Sequence, residues 1–170
     1  MKASFEDLAD PFKSRVQGLD AKLKEMGLPL KLFESRRSFK RQAELFNKGR
    51  KFEDGLILVE HPAQIVTKAR AGESAHNWGL AADFVLDVDH EYWAKWLDRP
   101  ENPWDSGVGI KPPKPNVIGV WHKFGELAAW CDLEWGGSWK FKDLPHVELK
   151  NWKSLRPSNW KAVVEPEMQR

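Results

Sequence analysis

The fold of this chain is decided by the stretch SAHNWGLAAD, which occupies residues 74–83. It places His76 seven residues before Asp83, with Gly79 between them. Residues 80–88 are mostly apolar, with β-branched and aromatic members, and predict a core strand that carries Asp83. A buried carboxylate destabilises a fold by desolvation unless a partner compensates, and a metal ion would compensate. The stretch therefore predicts both a core strand and a metal ligand.

The second half of the pattern is the sequence DLPH at residues 143–146. Together, His76, Asp83 and His146 are candidate ligands for one catalytic Zn2+ ion, because three protein ligands leave the fourth tetrahedral position open for water. Asp143, three residues before the last of them, is a candidate general base that is not itself a ligand. A lone histidine is more often a hydrogen-bonded polar residue than a ligand. Two histidines and two aspartates in this order, beside apolar strands, favour the metal.

The composition is that of a soluble globular protein, and the length fits a single domain. The chain has 170 residues, 41% hydrophobic and 31% charged, with a net charge of +2. This balance lacks the clustered basic face of a nucleic-acid-binding protein, so we expect no nucleic-acid partner. No stretch approaches the roughly 18 apolar residues of a membrane span, so we expect no membrane insertion. One cysteine, Cys131, excludes an internal disulfide and a cysteine-rich metal site.

Hydrophobic periodicity predicts an α+β fold, with a small, mostly antiparallel sheet backed by helices. We predict one domain over residues 1–170, with a catalytic core at about 30–150 and a tail at 151–170 that packs back on it. Helices are predicted at 11–27, 39–48 and 117–131, with further helical character at 89–97. Strands are predicted at 30–33, 56–59, 65–67, 80–88, 133–135 and 146–149. The proline-rich residues 99–116 are predicted to form a loop.

The motifs of this chain resemble those of a zinc peptidase family. The pattern S-x-H-x-x-G-x-A-x-D at 74–83, followed by D-x-x-H at 143–146, is similar to that of D-alanyl-D-alanine carboxypeptidases and dipeptidases and of L-alanyl-D-glutamate endopeptidases. The residues RS-x-x-x-Q-x-x-LF-x-x-GR at 37–50 and EWGGSW at 134–139 resemble the endopeptidase branch most closely, the branch of phage endolysins and bacterial cell-wall peptidases. The resemblance covers roughly residues 30–150.

The resemblance implies a role for each site residue and a Hedgehog/D,D-peptidase-like zinc domain. It makes His76, Asp83 and His146 the zinc ligands and Asp143 the general base. Arg37 would be the cation that stabilises the substrate carbonyl as it becomes an oxyanion. Because only one of two adjacent residues on an extended chain faces a site, Arg36 is then a solvated surface charge. The carboxypeptidase and dipeptidase branches usually carry Glu at the base position, so an aspartate there favours the endopeptidase branch.

The function implied is cleavage of the peptidoglycan stem peptide, most simply at the L-alanyl-D-glutamate bond. The N-terminus has no apolar signal-peptide segment. We therefore expect a phage or prophage endolysin, a monomer in the host cytoplasm that reaches the wall through a membrane pore. One alternative is a D,D-carboxypeptidase that releases terminal D-alanine. The other is a zinc-containing wall-binding module without catalysis, against which the presence of Asp143 argues.

Two interpretations remain open for each of several residues near the motifs. Ser74 either contacts substrate or caps the loop before His76. Trp78 and Trp135 either line the cleft or pack in the core. Glu148 either orients an imidazole or lies on the surface. Three further histidines are expected to lie away from the metal: His61, His90 and His122.

Overall fold

The computed structural model describes residues 3–108 and 113–168 and has an α+β architecture, as predicted. The strands are β1 (Leu30–Glu34), β2 (Arg50–Glu53), β3 (Leu56–Val59), β4 (Ala81–Leu86), β5 (Leu133–Trp135) and β6 (His146–Leu149). Four of them form an antiparallel sheet in the order β1-β4-β6-β5, and β2 and β3 form a separate hairpin. The strand that carries Asp83 is therefore central and hydrogen-bonded on both sides.

The α-helices of the described residues are α1 (Phe12–Glu25), α2 (Phe39–Asn47), α3 (Pro115–Trp130) and α4 (Trp160–Met168). Of these four helices, α1 and α3 pack with the four-stranded sheet, whereas α2 and α4 pack on each other. The apolar stripes of α1 and α3 are fully buried together with β4, and the ring centroids of Phe84 and Phe124 lie 5.3 Å apart. Phe84 and its neighbour Asp83 point to opposite faces of the strand, so the same strand supplies the core and the site. Within the described ranges, no helix is long and apolar enough to cross a membrane.

Capping residues mark the start of α2 and the ends of α1 and α2, whereas α1 begins without a side-chain cap. Ser38 begins α2 by accepting a hydrogen bond from the Arg41 backbone N–H at 3.1 Å. Gly27 follows α1 with φ of +61°, and Gly49 follows α2 with φ of +72°. Both conformations favour glycine, which explains where these helices stop.

Two predicted elements differ from the structure. Residues 65–67 form no strand, and the partner of β3 is instead β2, which the sequence analysis left unassigned. The turn Asp54-Gly55, with positive φ at both residues, closes this hairpin. Residues 89–97 contain only a 3-10 helix at Glu91–Lys95. The tail contains α4, which packs on α2, and a side chain at Gly72 would collide with the Trp160 ring beneath that helix.

Candidate metal centre and cleft

His76 is positioned by a 3-10 turn, Ala75–Trp78, directly before β4. Gly79 ends the turn with φ of +69°, and a Cβ there would lie 3.0 Å from the Ala9 backbone nitrogen. That nitrogen donates a hydrogen bond to the Gly79 carbonyl at 2.9 Å. The Arg37 backbone N–H donates to the His76 carbonyl at 3.0 Å. The glycine of the motif is therefore needed for its conformation and for close packing against the N-terminal segment.

Asp83 and His146 are direct cross-strand neighbours in the β4–β6 pair. Directly opposite residues of antiparallel strands place their side chains on the same face, about 4.5–5.5 Å apart at Cβ. The register of the sheet thus brings together two candidate ligands that are 63 residues apart in sequence.

The three candidate ligand atoms form a compact triangle. His76 Nε2 lies 3.3 Å from both Asp83 Oδ1 and His146 Nδ1, and Asp83 Oδ1 lies 3.0 Å from His146 Nδ1. A tetrahedral zinc ion with bonds of about 2.0–2.2 Å has ligands roughly 3.3–3.6 Å apart. The donor set therefore fits one zinc ion with a small expansion, and its chemistry (two imidazoles and a carboxylate) is that of a catalytic site.

The other nitrogen of each imidazole has its own partner. His76 Nδ1 donates to the Ser35 carbonyl at 2.7 Å, and His146 Nε2 donates to Glu148 Oε2 at 3.1 Å. In the neutral imidazoles these bonds leave the lone pairs on His76 Nε2 and His146 Nδ1, which are atoms of the triangle. Glu148 therefore orients an imidazole, which favours that interpretation over a surface residue. The Trp139 ring packs against the His146 ring, with centroids 5.2 Å apart.

The electrostatics of the triangle suit a cation. Burial by itself favours the neutral form of Asp83, yet His76 and His146 hold the pKa of this carboxyl well below its usual range. Burial likewise opposes charge on His146, but hydrogen bonds to Asp83 and Glu148 raise its pKa to about 10. The metal-free protein thus holds a proton among these groups, and a bound cation would displace it.

Arg37 belongs to a second polar cluster at the edge of the triangle. Its Nε donates to Glu34 Oε1 at 3.0 Å, its Nη2 also pairs with Glu34, and its Nη1 donates to Gln42 Oε1 at 2.8 Å. Its Nη2 lies 3.6 Å from Asp83 Oδ2. Burial opposes the charge on Arg37, but the adjacent carboxylates, Glu34 foremost, raise its pKa. Arg36 is exposed, so the structure places Arg37 in the cleft and Arg36 at the surface.

Sequence reasoning missed Glu34, which a register irregularity in β1 places beside the site. Leu32 pairs with Phe84, but Glu34 pairs with Asp83, so Phe33 is an extra residue on this strand. A bulge of this kind re-aims side chains. It places Glu34 across from Asp83, and it leaves Phe33 half exposed.

Asp143 lies on the turn that leads into β6. Its backbone N–H donates to the Gly136 carbonyl at 3.0 Å, and its own carbonyl accepts from the His146 N–H at 3.2 Å. A Cβ at Gly136 would lie 2.5 Å from the Asp143 carbonyl, so the motif glycine permits this close approach. Surrounding protein atoms raise the pKa of the Asp143 carboxyl by desolvation, and the negative charge of Asp83 raises it further, against the opposing effect of His146.

These groups line a cleft of about 580 Å³. It contains the three candidate ligands, Asp143, Arg37 and Ser74, together with Glu34, Glu148 and the aromatic residues Trp104, Trp139 and Trp152. Sequence analysis gave no role to Trp104 or Trp152, since nothing local separates them from the other tryptophans. Trp139 was quoted only as part of the EWGGSW block.

Two tryptophans of the motifs lie outside the cleft lining. Trp78 packs partly buried against the core and donates through Nε1 to the Gly72 carbonyl at 3.0 Å. Trp135 is also packed against the core, and it donates to the Leu144 carbonyl at 2.8 Å. Both positions correspond to the core interpretation, with Trp135 supporting the turn that carries Asp143. His61, His90 and His122 are likewise absent from the cleft lining.

Two protein-family models, a characterised protein and a solved structure are similar to this chain. Sequence models described as D-alanyl-D-alanine carboxypeptidase match residues 67–149 and, for the one named VanY, residues 6–103. The peptidoglycan L-alanyl-D-glutamate endopeptidase CwlK of Bacillus subtilis is 34% identical over 146 residues, which cover 84% of this chain and 74% of that protein. The crystal structure of the Serratia marcescens L-Ala D-Glu endopeptidase ChiX covers 90% of this chain and 87% of its own, at 18% identity and a TM-score of 0.49. On the sequence matches, this chain belongs to the D-alanyl-D-alanine carboxypeptidase family of peptidases, the family that its motifs resemble.

Proposed function

We propose that this protein is a zinc-dependent peptidase that hydrolyses the L-alanyl-D-glutamate bond of the peptidoglycan stem peptide. The observation that carries the proposal is the triangle of His76 Nε2, Asp83 Oδ1 and His146 Nδ1, with sides of 3.0–3.3 Å and both lone pairs directed by partners. The choice of bond is supported by the 34% identity to a relative named for that activity, and by an aspartate at the position of the base.

In this mechanism His76, Asp83 and His146 would hold the ion, and Asp143 would move the proton. Zinc, when bound, would polarise the scissile carbonyl and make water a stronger nucleophile near neutral pH. The Asp143 carboxylate accepts a proton from the attacking water, whose oxygen bonds to the carbonyl carbon. Asp143 then returns that proton to the leaving nitrogen as the C–N bond breaks. The products are a carboxylic acid on the alanine side, which gives up its proton at neutral pH, and a free amine on the glutamate side.

Arg37 is proposed to stabilise the negative charge that develops on the carbonyl oxygen. A guanidinium has five N–H donors, and three are used by Glu34 and Gln42 among the described residues, so two remain. Glu34 and Gln42 hold the guanidinium in a fixed orientation before substrate arrives. Such preorganisation is what makes electrostatic stabilisation effective.

The test is mass spectrometry of purified peptidoglycan after digestion by the metal-free, zinc-loaded and chelator-treated protein. We expect new fragments with an N-terminal D-glutamate, lost with chelator and restored by zinc. Release of free D-alanine instead would contradict the proposed bond and indicate the carboxypeptidase alternative. Intact wall after treatment with zinc-loaded protein would contradict catalysis and leave the wall-binding module.

The endolysin role remains a prediction of the sequence resemblance. It is tested by expressing the protein in the bacterial cytoplasm and then opening the membrane with a pore-forming protein. We expect lysis only after the pore forms. Lysis without a pore would contradict a dependence on pore-mediated release.

A further inference from the structure

A second cavity, of about 660 Å³, adjoins the metal cleft. Asp143 and Trp104 line both spaces, so the two meet at the proposed general base. The wall of the second cavity is mainly apolar and comes from α3, the 99–116 loop and the turn before β6: Val108, Ile118, Trp121, Leu144 and Pro145. The proposed mechanism assigns no role to this space.

The described part of the loop wall is anchored from behind. Trp121 is buried in α3 and donates through Nε1 to the Asp105 carbonyl at 2.8 Å. The Trp104 ring stands edge-on to the Phe33 ring, with centroids 4.7 Å apart. The cavity is thus bounded by groups that are already in place, as is usual for ligand pockets.

The chemistry of Asp143 fixes which half of a substrate meets this cavity. A group that returns a proton to the leaving nitrogen must come within about 2.6–3.2 Å of it. The acyl half of the substrate lies at the metal triangle, so the leaving half begins at Asp143. The space that opens beyond Asp143, away from the triangle, is the second cavity.

Besides Asp143 and His122, the ionisable side chain that lines this cavity among the described residues is Lys142. It is exposed, lines the cavity and forms no ion pair with any residue that the structure describes. Lys140, two residues earlier on the same turn, is also exposed but does not line the cavity. A lysine ammonium beside an apolar pocket suits a ligand that combines aliphatic groups with a carboxylate.

We propose that the second cavity binds the leaving half of the stem peptide, and that Lys142 recognises the free carboxylate of its first residue. This inference rests on the proposed function. In an L-alanyl-D-glutamate substrate the leaving residue has two carboxyl groups, one of which continues the peptide while the other is free. Lys142 is then a specificity-determining residue that distinguishes a free carboxylate from a carboxamide at that position.

The test uses two synthetic stem peptides that differ only in whether the free carboxylate of the D-glutamate is intact or converted to the carboxamide. Steady-state kinetics are measured for the zinc-loaded wild type, for Lys142→Met and for the matched control Lys140→Met. We expect wild type and Lys140→Met to favour the carboxylate peptide by about two- to fivefold in kcat/KM, mainly through KM, as for an ion pair near the surface. In Lys142→Met the two peptides should become equal.

The outcomes separate this inference from the function on which it rests. Cleavage of both peptides by the wild type without preference would overturn the role of Lys142 and leave the peptidase assignment intact. A preference that survives in Lys142→Met would do the same. If the zinc-loaded wild type cuts neither peptide at the alanine–glutamate bond, the proposed function is overturned and this inference with it.

Discussion

The two walls that meet at Asp143, the metal wall of the cleft and the loop wall of the second cavity, are held in place in different ways. The metal wall is built on paired strands, where the Asp83–His146 register follows from the backbone ladder. Each ring nitrogen of His76 and His146 has a polar partner there. The loop wall of the second cavity comes from the 99–116 loop, of which Trp104 also lines the metal cleft. Residues 99–108 and 113–114 of this loop have no helix or strand.

The loop wall is stabilised by a buried ionic cluster instead of a ladder. Lys114 donates to Asp105 at 2.8 Å and to Glu101 at 2.9 Å. Asp105 also accepts from the Gly107 backbone N–H at 2.9 Å. These bonds connect Glu101 and Asp105, in the first part of the loop, to Lys114 near its end.

The difference fits the roles that the proposed function gives to the two walls. A tetrahedral ion requires its ligands within a few tenths of an ångström, and regular secondary structure with partnered imidazoles provides that precision. A wall that contacts substrate needs shape and a few polar groups, so an anchored loop is sufficient. Substitutions on the two walls should therefore fail in different ways.

The largest effect is expected at the metal wall, for Asp83→Ala. Loss of a ligand should weaken zinc binding by more than about 100-fold, which is the upper end of the loss expected when a hydrogen-bond partner of a ligand is removed. Cleavage of the cell wall should fall to background. Competition with a chromophoric chelator measures the affinity. Asp87→Ala, which removes an aspartate just after the same strand, is the matched control and should retain tight zinc binding. Tight stoichiometric zinc in Asp83→Ala would contradict the ligand set.

Asp143→Asn should separate catalysis from metal binding. The amide keeps the shape of the side chain but takes up no proton, so kcat/KM should drop by about 10²–10⁴-fold. Zinc affinity, measured by the same competition, should stay close to that of the wild type because Asp143 is not in the triangle. Full activity in this variant would contradict the role of general base.

Much of the metal wall could be predicted from sequence because its signals are local. The apolar run after Gly79 predicts β4, and the motif spacing places candidate ligands on either side of it. The register that sets Asp83 opposite His146 is a long-range property, and here the family resemblance supplied what periodicity does not. The roles of these residues remain predictions that the variants above test.

The features that could not be predicted from the sequence depend on three-dimensional packing, which leaves little trace in the sequence. The bulge at Phe33, which brings Glu34 to Arg37, has no residue signature such as a glycine. The hairpin of β2 and β3 was only half predicted, because three of residues 50–53 are charged and the segment is largely exposed. The second cavity is formed by side chains from three separate segments, so only the fold reveals it.

Asp105→Ala tests the anchor of the loop wall. Removing this buried partner of Lys114 should cost about 2–3 kcal/mol in the free energy of unfolding at neutral pH, as for hydrogen bonds to charged groups. Burial opposes ionisation of Asp105, but the hydrogen bond from Lys114 lowers its pKa. Its stabilisation is therefore complete above the unfolded pKa of about 3.9 and is lost as pH falls through the lower pKa of the folded state.

Urea unfolding of the metal-free protein across this pH range measures the effect. The difference between wild type and Asp105→Ala should shrink on acidification below about pH 4. Glu101→Ala is the control, since it removes the exposed partner of the same lysine and should cost less than about 1 kcal/mol. Equal destabilisation by the two variants would mean that burial of Asp105 contributes nothing to the anchor.

The smallest effect on the metal wall is expected for Glu148→Gln. The amide can still contact His146 Nε2, but it lacks the negative charge that favours a protonated Nε2 and a free lone pair on Nδ1. Zinc affinity should weaken by about 10–100-fold, the usual range for partners of metal-bound histidines. Glu126→Gln, on an exposed surface of α3, is the control and should bind zinc like the wild type. Because the ligands stay in place, saturating zinc should restore wall cleavage in Glu148→Gln, whereas it should not in Asp143→Asn. If saturating zinc does not restore cleavage in Glu148→Gln, the Glu148 carboxylate takes part in the reaction itself. Metal binding and proton transfer would then not be divided between the metal wall and the turn that carries Asp143.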